Sequence, residues 1–324
     1  MLSVSTLQPQ GLVRRDLLPS DELPAGTLWV DLFDPSSAEE TLVEKALTID
    51  VPTREEMREI EPSNRLYEDG GALYMTATVV TKLDTDLPEN SQITFILTGD
   101  KLITNRYVDP LPFRRYIAYA ERHPGSCASA AAVLTGLLES IVNRIADVIE
   151  RVGANLDSVS ADVFATARSK RAASRDFRSL LERVGQNGDL TSKARETLGS
   201  LGRLLVFLQQ QPTLKLSNDV QARLRTLNRD VTQMSDHASF LSNKVSFILD
   251  ATLGMINIDQ NNILKIFSVV TVFLLPPSVI GAIYGMNFEH IPWLHEPWGF
   301  WYALGLMLLS AVAPYLIFKK RGWL

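Results

Sequence analysis

The stretch LKIFSVVTVFLLPPSVIGAIY, Leu264 to Tyr284, decides how this chain is read. It is a twenty-one-residue apolar run whose only charge is Lys265, at its start. A helix of that length crosses a hydrocarbon layer of roughly 30 Å. No proline lies between Pro212 and Pro276, so the helical pattern extends back to Ser217. As one helix, Ser217 to Tyr284 would reach roughly 100 Å at 1.5 Å per residue. A soluble rod therefore runs directly into a membrane span.

Steps of seven back from Gly285 meet Ser278, Thr271, Leu264, Asn257, Asp250, Asn243 and Asp236. The companion series is Ala282, Leu275, Ser268, Asn261, Gly254, Phe247, Phe240 and Gln233. Together they form an a/d seam of the kind that faces the axis of a helix bundle. Within the span the seam is small or hydroxylated except at Leu264 and Leu275. Ile266, Val269, Val270, Val272, Phe273 and Ile280 hold the remaining faces, which suit lipid. Below the span the a positions become Asn, Asp, Asn and Asp, which a dry coiled coil tolerates only singly because a buried unpaired carboxylate costs several kcal/mol. Two readings fit such a stripe. One is a helical hairpin whose Ser and Thr bond between helices; the other, favoured by four polar a positions in phase with the membrane stripe, is a water-filled cation pathway.

The rod ends at Tyr284-Gly285-Met286-Asn287, and here the chain resembles the CorA family of divalent cation channels, whose signature is Gly-Met-Asn at the outer end of the first of two membrane helices. The resemblance runs from about Ser242 to Leu324. It includes Asn257-Ile258-Asp259-Gln260-Asn261, the pair Pro276-Pro277, Tyr284 to Phe288, and the tail ending Gly322-Trp323-Leu324. It implies a passive channel for Mg2+, with Co2+ and Ni2+ as further candidate substrates. It also implies an outer filter at Gly285, Met286 and Asn287, a pentameric funnel, and closure by intracellular Mg2+ bound between cytoplasmic domains. The pore lining would be Asp250, Asn257, Asn261, Leu264, Ser268, Thr271, Leu275, Ser278 and Ala282. Rings of Leu264, Leu275 and, after a slight helix rotation, Phe267 could stop ions by dewetting. Two alternatives stand beside this: a zinc-transporting relative, disfavoured by Met286 because the central residue of the tripeptide usually differs there, and a membrane-anchored coiled-coil scaffold or sensor that does not conduct.

The chemistry of the ion agrees with that inventory. Magnesium takes hard oxygen ligands and sheds its waters reluctantly. The span carries no carboxylate to strip it, only hydroxyls and, at its end, the Asn287 amide above a glycine whose backbone is free to turn. Pro276 and Pro277 lack N–H groups, so the carbonyls of Val272 and Phe273 lose their helical donors and a local bend is expected.

The rest of the chain bounds the function. It has 324 residues, 46% hydrophobic and 21% charged, with net charge −5 and pI near 5.5, which argues against nucleic acid as a partner. Met1 to Gln10 lacks a basic region followed by an apolar core, so no cleavable signal peptide is expected. Lone Cys127 suits a reducing cytoplasm. No nucleophile and base pair, Gly-rich phosphate loop or Cys/His cluster is visible, so no enzyme is expected. The expected class is an α+β membrane protein: a cytoplasmic α/β/α domain at 1–125, a helical segment at 126–216, a stalk helix at 217–284 continuing into the first span at about 264–284, the Gly-Met-Asn motif and external loop at 285–297, a second span at 298–318 and a basic tail at 319–324. Trp298 and Trp301 mark the outer interface of the second span, and Lys319-Lys320-Arg321 the cytoplasmic side, so both termini are expected on the cytoplasmic side of a bacterial inner membrane.

Within 1–125, Thr27 to Phe33 reads as a strand, followed by turn and cap residues Asp34 to Ser37 and a helix from Ala38 to about Leu47. A short helix starts at Thr53. Ala72–Thr81, Gln92–Leu97 and Lys101–Arg106 read as strands of one sheet. Asp84, Asp86 and Glu89 form a carboxylate loop that is either a solvated turn or, with Asp230 and Asp236, part of a regulatory metal site. Ser126 or Ser129 caps a long helix to Phe164, a basic stretch runs from Arg168 to Arg183, and Gly185 to Gly188 reads as a helix turn. In the external loop, Glu289 and Glu296 attract cations. His290 and His295 are five apart, which is no recognised zinc spacing.

Overall fold

The computed structural model describes residues 1–8, 11–83, 85, 87–168, 176–212, 214, 216–287, 291–293 and 296–321, and of 62 and 165–168 the backbone alone. The chain divides into two compact units, Met1–Leu249 and Asp250–Leu324.

The first unit is built on one seven-stranded sheet of β1 (Leu2–Gln8), β2 (Gly11–Leu17), β3 (Thr27–Phe33), β4 (Leu66–Asp69), β5 (Ala72–Thr81), β6 (Glu89–Thr98) and β7 (Lys101–Arg106), in spatial order β2-β1-β3-β7-β6-β5-β4. Only β3 and β7 pair in parallel. The helices are α1 (Ser37–Leu47), α2 (Leu111–Ala120), α3 (Ala130–Arg168), α4 (Phe177–Gln209), α5 (Asn218–Tyr284) and α6 (Gly299–Lys320). Alternation along the strands divides the core into two layers. Val4, Val30, Leu32, Ile96 and Ile103 meet Val43 of α1 on one face. On the other, Trp29 and Phe95 pack on Phe113, and Trp29 also meets Tyr116, both rings from α2. The result is an α/β/α sandwich.

Local chemistry sets the element ends. Ser36 and Glu39 close a capping box on α1, and Thr48 ends it in the left-handed region. The expected helix at Thr53 is a single 3-10 turn, Glu56–Arg58, held by Thr53 and Glu56 bonding each other. Ser129 caps α3, whose Val133, Leu137, Ile141, Ile145, Ile149 and Leu156 are all buried. Absent from the sequence reading were β1, β2, β4 and α2.

One edge of the sheet is closed by side chains. β4 covers β5 only from Ala72 to Met75. Beyond it, the N–H groups of Thr78 and Val80 donate to Ser200 Oγ (2.9 Å) and Thr197 Oγ1 (3.1 Å) of α4. An open strand edge is thereby converted into a helix contact.

The buried carboxylate of Asp31 is engaged at both oxygens. Asp31 accepts from Arg106 Nε and Nη2 (both 2.9 Å), Arg14 Nη2 (2.7 Å) and Thr104 Oγ1 (2.8 Å). Burial pushes its carboxyl up, but the two guanidinium groups and Thr104 outweigh that and hold it below its ordinary value. A depressed carboxylate stabilises the fold above its unfolded pKa, and that contribution is lost as pH falls through the lower folded value.

The Gly185–Gly188 turn does not exist: α4 runs unbroken from Phe177 to Gln209. Gly188 serves packing instead, because a Cβ there would stand 3.2 Å from Val245 Cγ1 of α5, whereas Gly185 has nothing within 4 Å. The two glycines should therefore respond oppositely in thermal unfolding of the detergent-solubilised chain. Gly185→Ala should stabilise, by up to about 1 kcal/mol from helix propensity, and Gly188→Leu should lower the midpoint by forcing α4 and α5 apart. Asp31→Ala should cost more than either, on the order of 3–5 kcal/mol, by leaving Arg106 and Arg14 facing no buried carboxylate.

Candidate functional site

The second unit holds the part of α5 from Asp250 onward and all of α6, the two helices long and apolar enough to cross a membrane. α5 passes through Pro276 and Pro277 without ending. Its faces are sharply distinguished. Val269, Val272, Phe273, Pro276, Pro277, Ile280, Gly281 and Tyr284 are half-buried, while every pore-lining candidate from Asp250 through Asn257, Asn261, Leu264, Ser268, Thr271, Leu275 and Ser278 to Ala282 is exposed.

Contacts identify the covered face. The Phe273 ring lies 6.1 Å from that of Tyr315 in α6, and a Cβ added at Gly281 would meet Met307 Cε at 3.3 Å. This corrects the assignment of all six apolar residues to lipid: Val269, Val272, Phe273 and Ile280 are half-buried on the α6 side, and Ile266 and Val270 stay exposed. Gly281 was the available signal, since a small residue on one helix face admits a neighbour.

Each seam hydroxyl is oriented by its own helix. Ser268 Oγ donates to the Leu264 carbonyl (2.8 Å), Thr271 Oγ1 to Phe267 (2.8 Å) and Ser278 Oγ to Leu274 (2.7 Å). With the proton committed to the backbone, the oxygen lone pairs remain as acceptors. Leu264, Phe267 and Leu275 are 62%, 66% and 59% exposed on this single chain, large apolar groups with nothing over them.

At its C-terminal end α5 closes when the Gly285 N–H donates to Gly281 and Ala282 and the Met286 N–H to Ile283. Gly285 does not take the left-handed turn its type would permit. Met286 and Asn287 then stand exposed. Further along, Trp293, at φ 61°, packs its ring 4.8 Å from Tyr302 near the start of α6. Glu296 is exposed; Glu289, His290 and His295 lie outside the described residues.

Of the regulatory candidates, three lie among the described residues. Asp84 and Asp86 lie outside the described residues, Glu89 pairs with Lys82 at 2.8 Å at the start of β6, and Asp230 and Asp236 are exposed on α5. Among the described residues no three metal-ligating side chains converge.

Comparison with known proteins extends the likeness over the whole length. The family described as CorA-like Mg2+ transporter protein matches residues 24–320. The chain belongs to that family. Against the "Magnesium transport protein CorA" of Yersinia pseudotuberculosis serotype I it is 34% identical over 324 residues, all of both chains. The same-named protein of Pasteurella multocida is 33% identical over the same span. The CorA magnesium transporter of Methanocaldococcus jannaschii has the same fold, with TM-score 0.79 at 19% identity, covering 100% of this chain and 99% of that one. The α/β/α unit, for which the sequence offered no signature, is thus as much a CorA element as the Gly-Met-Asn end of α5.

The tight contact at Gly281 separates two substitutions in this CorA-family chain. Gly281→Ala should be tolerated because Met307 Cε is the end of a flexible side chain, whereas Gly281→Leu should wedge α5 from α6. The check is the thermal midpoint in detergent; equal midpoints for Leu and wild type would show that the contact is not made.

Proposed function

We propose that the chain is one subunit of a passive magnesium channel whose pore is lined by the exposed seam of α5. The observation that carries this is the division of α5: one face packs on α6, and the opposite face, small and hydroxylated, is left without a partner in the chain. Two membrane helices cannot enclose a pore, so several copies must surround it, five in the family pattern. The seams then meet at the axis, and the remaining outer faces meet lipid. Lys319, Lys320 and Arg321 set the inner side, so both termini are cytoplasmic, in a bacterial inner membrane.

The ion passes hydrated. A hydrated Mg2+ presents water hydrogens outward and needs acceptors around it, not ligands in its first shell. Ser268, Thr271 and Ser278 offer lone pairs because their protons are held by the helix. The Asn287 carboxamide adds an acceptor at the outer mouth, and Gly285, Met286 and Asn287 form the filter. Asn261, Asn257 and Asp250 continue the wet path inward, where Asp250 gathers negative charge at the cytoplasmic mouth and Glu296 and Glu289 attract cations outside. The rings of Leu264, Leu275 and Phe267 close the path by dewetting. Transport needs no chemical step: the membrane potential supplies about 2.3 kcal/mol per charge per 100 mV, and about twice that for a divalent ion. Internal Mg2+ favours the closed state, and Co2+ and Ni2+ enter by the same hydrated route.

Purified chain in liposomes should take up Mg2+. Asn287→Ala should abolish selective uptake while the assembly keeps its size; wild-type flux in that variant would remove the filter from Asn287. Leu264→Ser and Leu275→Ser should raise flux at high internal Mg2+, and unchanged flux in both would put closure elsewhere. Asp250→Asn should raise the thermal midpoint without divalent ions, by relieving axial repulsion. A lower midpoint would instead mean that Asp250 points outward to a cation.

A further inference from the structure

Both membrane helices carry proline on the faces they turn to each other, and each continues through it. In α5, Pro276 and Pro277 are half-buried on the side that meets α6. In α6, Pro314 is half-buried in the stripe Ala303, Met307, Ser310, Pro314 and Phe318, each of which is buried or half-buried while Leu308, Leu309, Val312 and Leu316 are exposed. Proline has no N–H to give the carbonyl four residues before it. The unbonded carbonyls are therefore those of Val272 and Phe273 in α5 and of Ser310 in α6.

The two interruptions lie at one depth. Phe273 meets Tyr315 and Gly281 meets Met307: eight residues forward on α5 correspond to eight residues back on α6, an in-register antiparallel pair. In that register the unbonded stretch 272–277 lies opposite 316–311, and 310–314 lies opposite 278–274. The two weak stretches overlap, with Leu275 on the far side of α5 at the same level. Tyr315 sits next to Pro314, its ring tilted 47° against Phe273, and Lys319 Nζ lies 5.9 Å over that ring one turn below. Sharp helix bends occur where the hydrogen-bond ladder is broken. When two broken ladders are clasped by one aromatic contact, bending one requires the other to follow.

We propose that Pro276-Pro277 and Pro314 form a single shared hinge, with Tyr315 the positioning residue that couples α6 to the segment of α5 carrying Leu275. The consequence for conduction rests on the reading of Leu275 as a gate. The hinge itself does not, so the two can fail separately.

Hydrogen exchange read by mass spectrometry on the full chain in lipid nanodiscs tests the hinge without any flux. Pro314→Ala returns a donor to the Ser310 carbonyl and strengthens the helix, so failure to fold does not confuse the result. Exchange should slow several-fold in 310–318 and also across the contact in 274–284. Tyr315→Phe keeps the ring and should preserve that cross-helix effect in the Pro314→Ala background, and Tyr315→Leu should abolish it. Slowing confined to α6, no slowing in either helix, or an effect that survives Tyr315→Leu would each overturn the shared hinge. In liposomes, Pro314→Ala should lower maximal Mg2+ flux several-fold with the half-saturating concentration unchanged. Normal flux alongside coupled exchange would overturn the link to Leu275, and absence of flux in the wild type would overturn the channel reading while the exchange result still decides the hinge.

Discussion

A hydrocarbon layer offers no water to backbone polar groups, so a spanning segment must bond its own N–H and C=O groups and stay helical. That constraint organises the second unit. α5 keeps its helix through the span and still presents an acceptor stripe, because Ser268, Thr271 and Ser278 use the backbone to dispose of their protons. The hydroxyls need no partner for their hydrogen, and their lone pairs alone remain to be satisfied. A stripe of that kind offers acceptors to a column of water without exposing an unpaired donor. The covering of the opposite face by α6, through Phe273, Gly281 and their partners, leaves the stripe exposed, together with apolar flanks such as Ile266, Val270 and Leu274.

The first unit solves a different problem with similar economy of polar groups. Its edge strand β4 is too short to cover β5, and beyond it Thr197 and Ser200 of α4 accept from the N–H groups of Val80 and Thr78. Its buried Asp31 draws Arg106, Arg14 and Thr104 into one network and joins β3, β7 and β2. The long helices then pack through small residues. Gly153, Gly188 and Gly202 stand opposite Leu241, Val245 and Val231 of α5, and Lys244 of α5 pairs with Asp157 of α3 at 2.6 Å. A glycine in a helix interior costs about 1 kcal/mol of propensity, which is offset where it lets two helices approach closely.

What could be read from the sequence follows from how each signal arises. α5 and α6 were legible because an apolar run of membrane length and a seven-residue repeat are properties of the chain alone. The strands Thr27–Phe33, Ala72–Thr81 and Lys101–Arg106 were legible because β-branched and aromatic residues lie between turn residues. β4 was not, since Leu66-Tyr67-Glu68-Asp69 is too short and acidic to suggest a strand and exists because β5 offers an edge. α2 was not legible: Pro110 and Pro112 flank its start, where they occupy the cap and first turn and the missing N–H is harmless. Gly185 and Gly188 looked like a turn because glycine in a helix interior is ambiguous without knowledge of what lies opposite. The exposed seam followed from the repeat; which apolar residues meet α6 did not, because lipid and a neighbouring apolar helix demand the same side chains.

The cation pathway proposed for the seam of α5 would be lined by few charges, and there is a physical reason for that. A carboxylate inside the span would have to remain ionised in a low-dielectric wall, at a cost of several kcal/mol unless a cation sat beside it. Such a ring would hold a divalent ion too firmly to let it leave. Neutral hydroxyl and amide acceptors bind the outside of the hydration shell, a weaker and more forgiving contact that requires no dehydration of a metal that dehydrates slowly. Asp250 and Glu296 both fall outside the 264–284 run, at exposed positions where water screens them. Charge at the mouths can raise the local concentration of cations, and the acceptors between can pass them without capture. On this reading the division of labour along α5 is itself the selectivity argument: attraction is placed where water moderates it, and the neutral stripe occupies the stretch where a fixed charge would trap the ion.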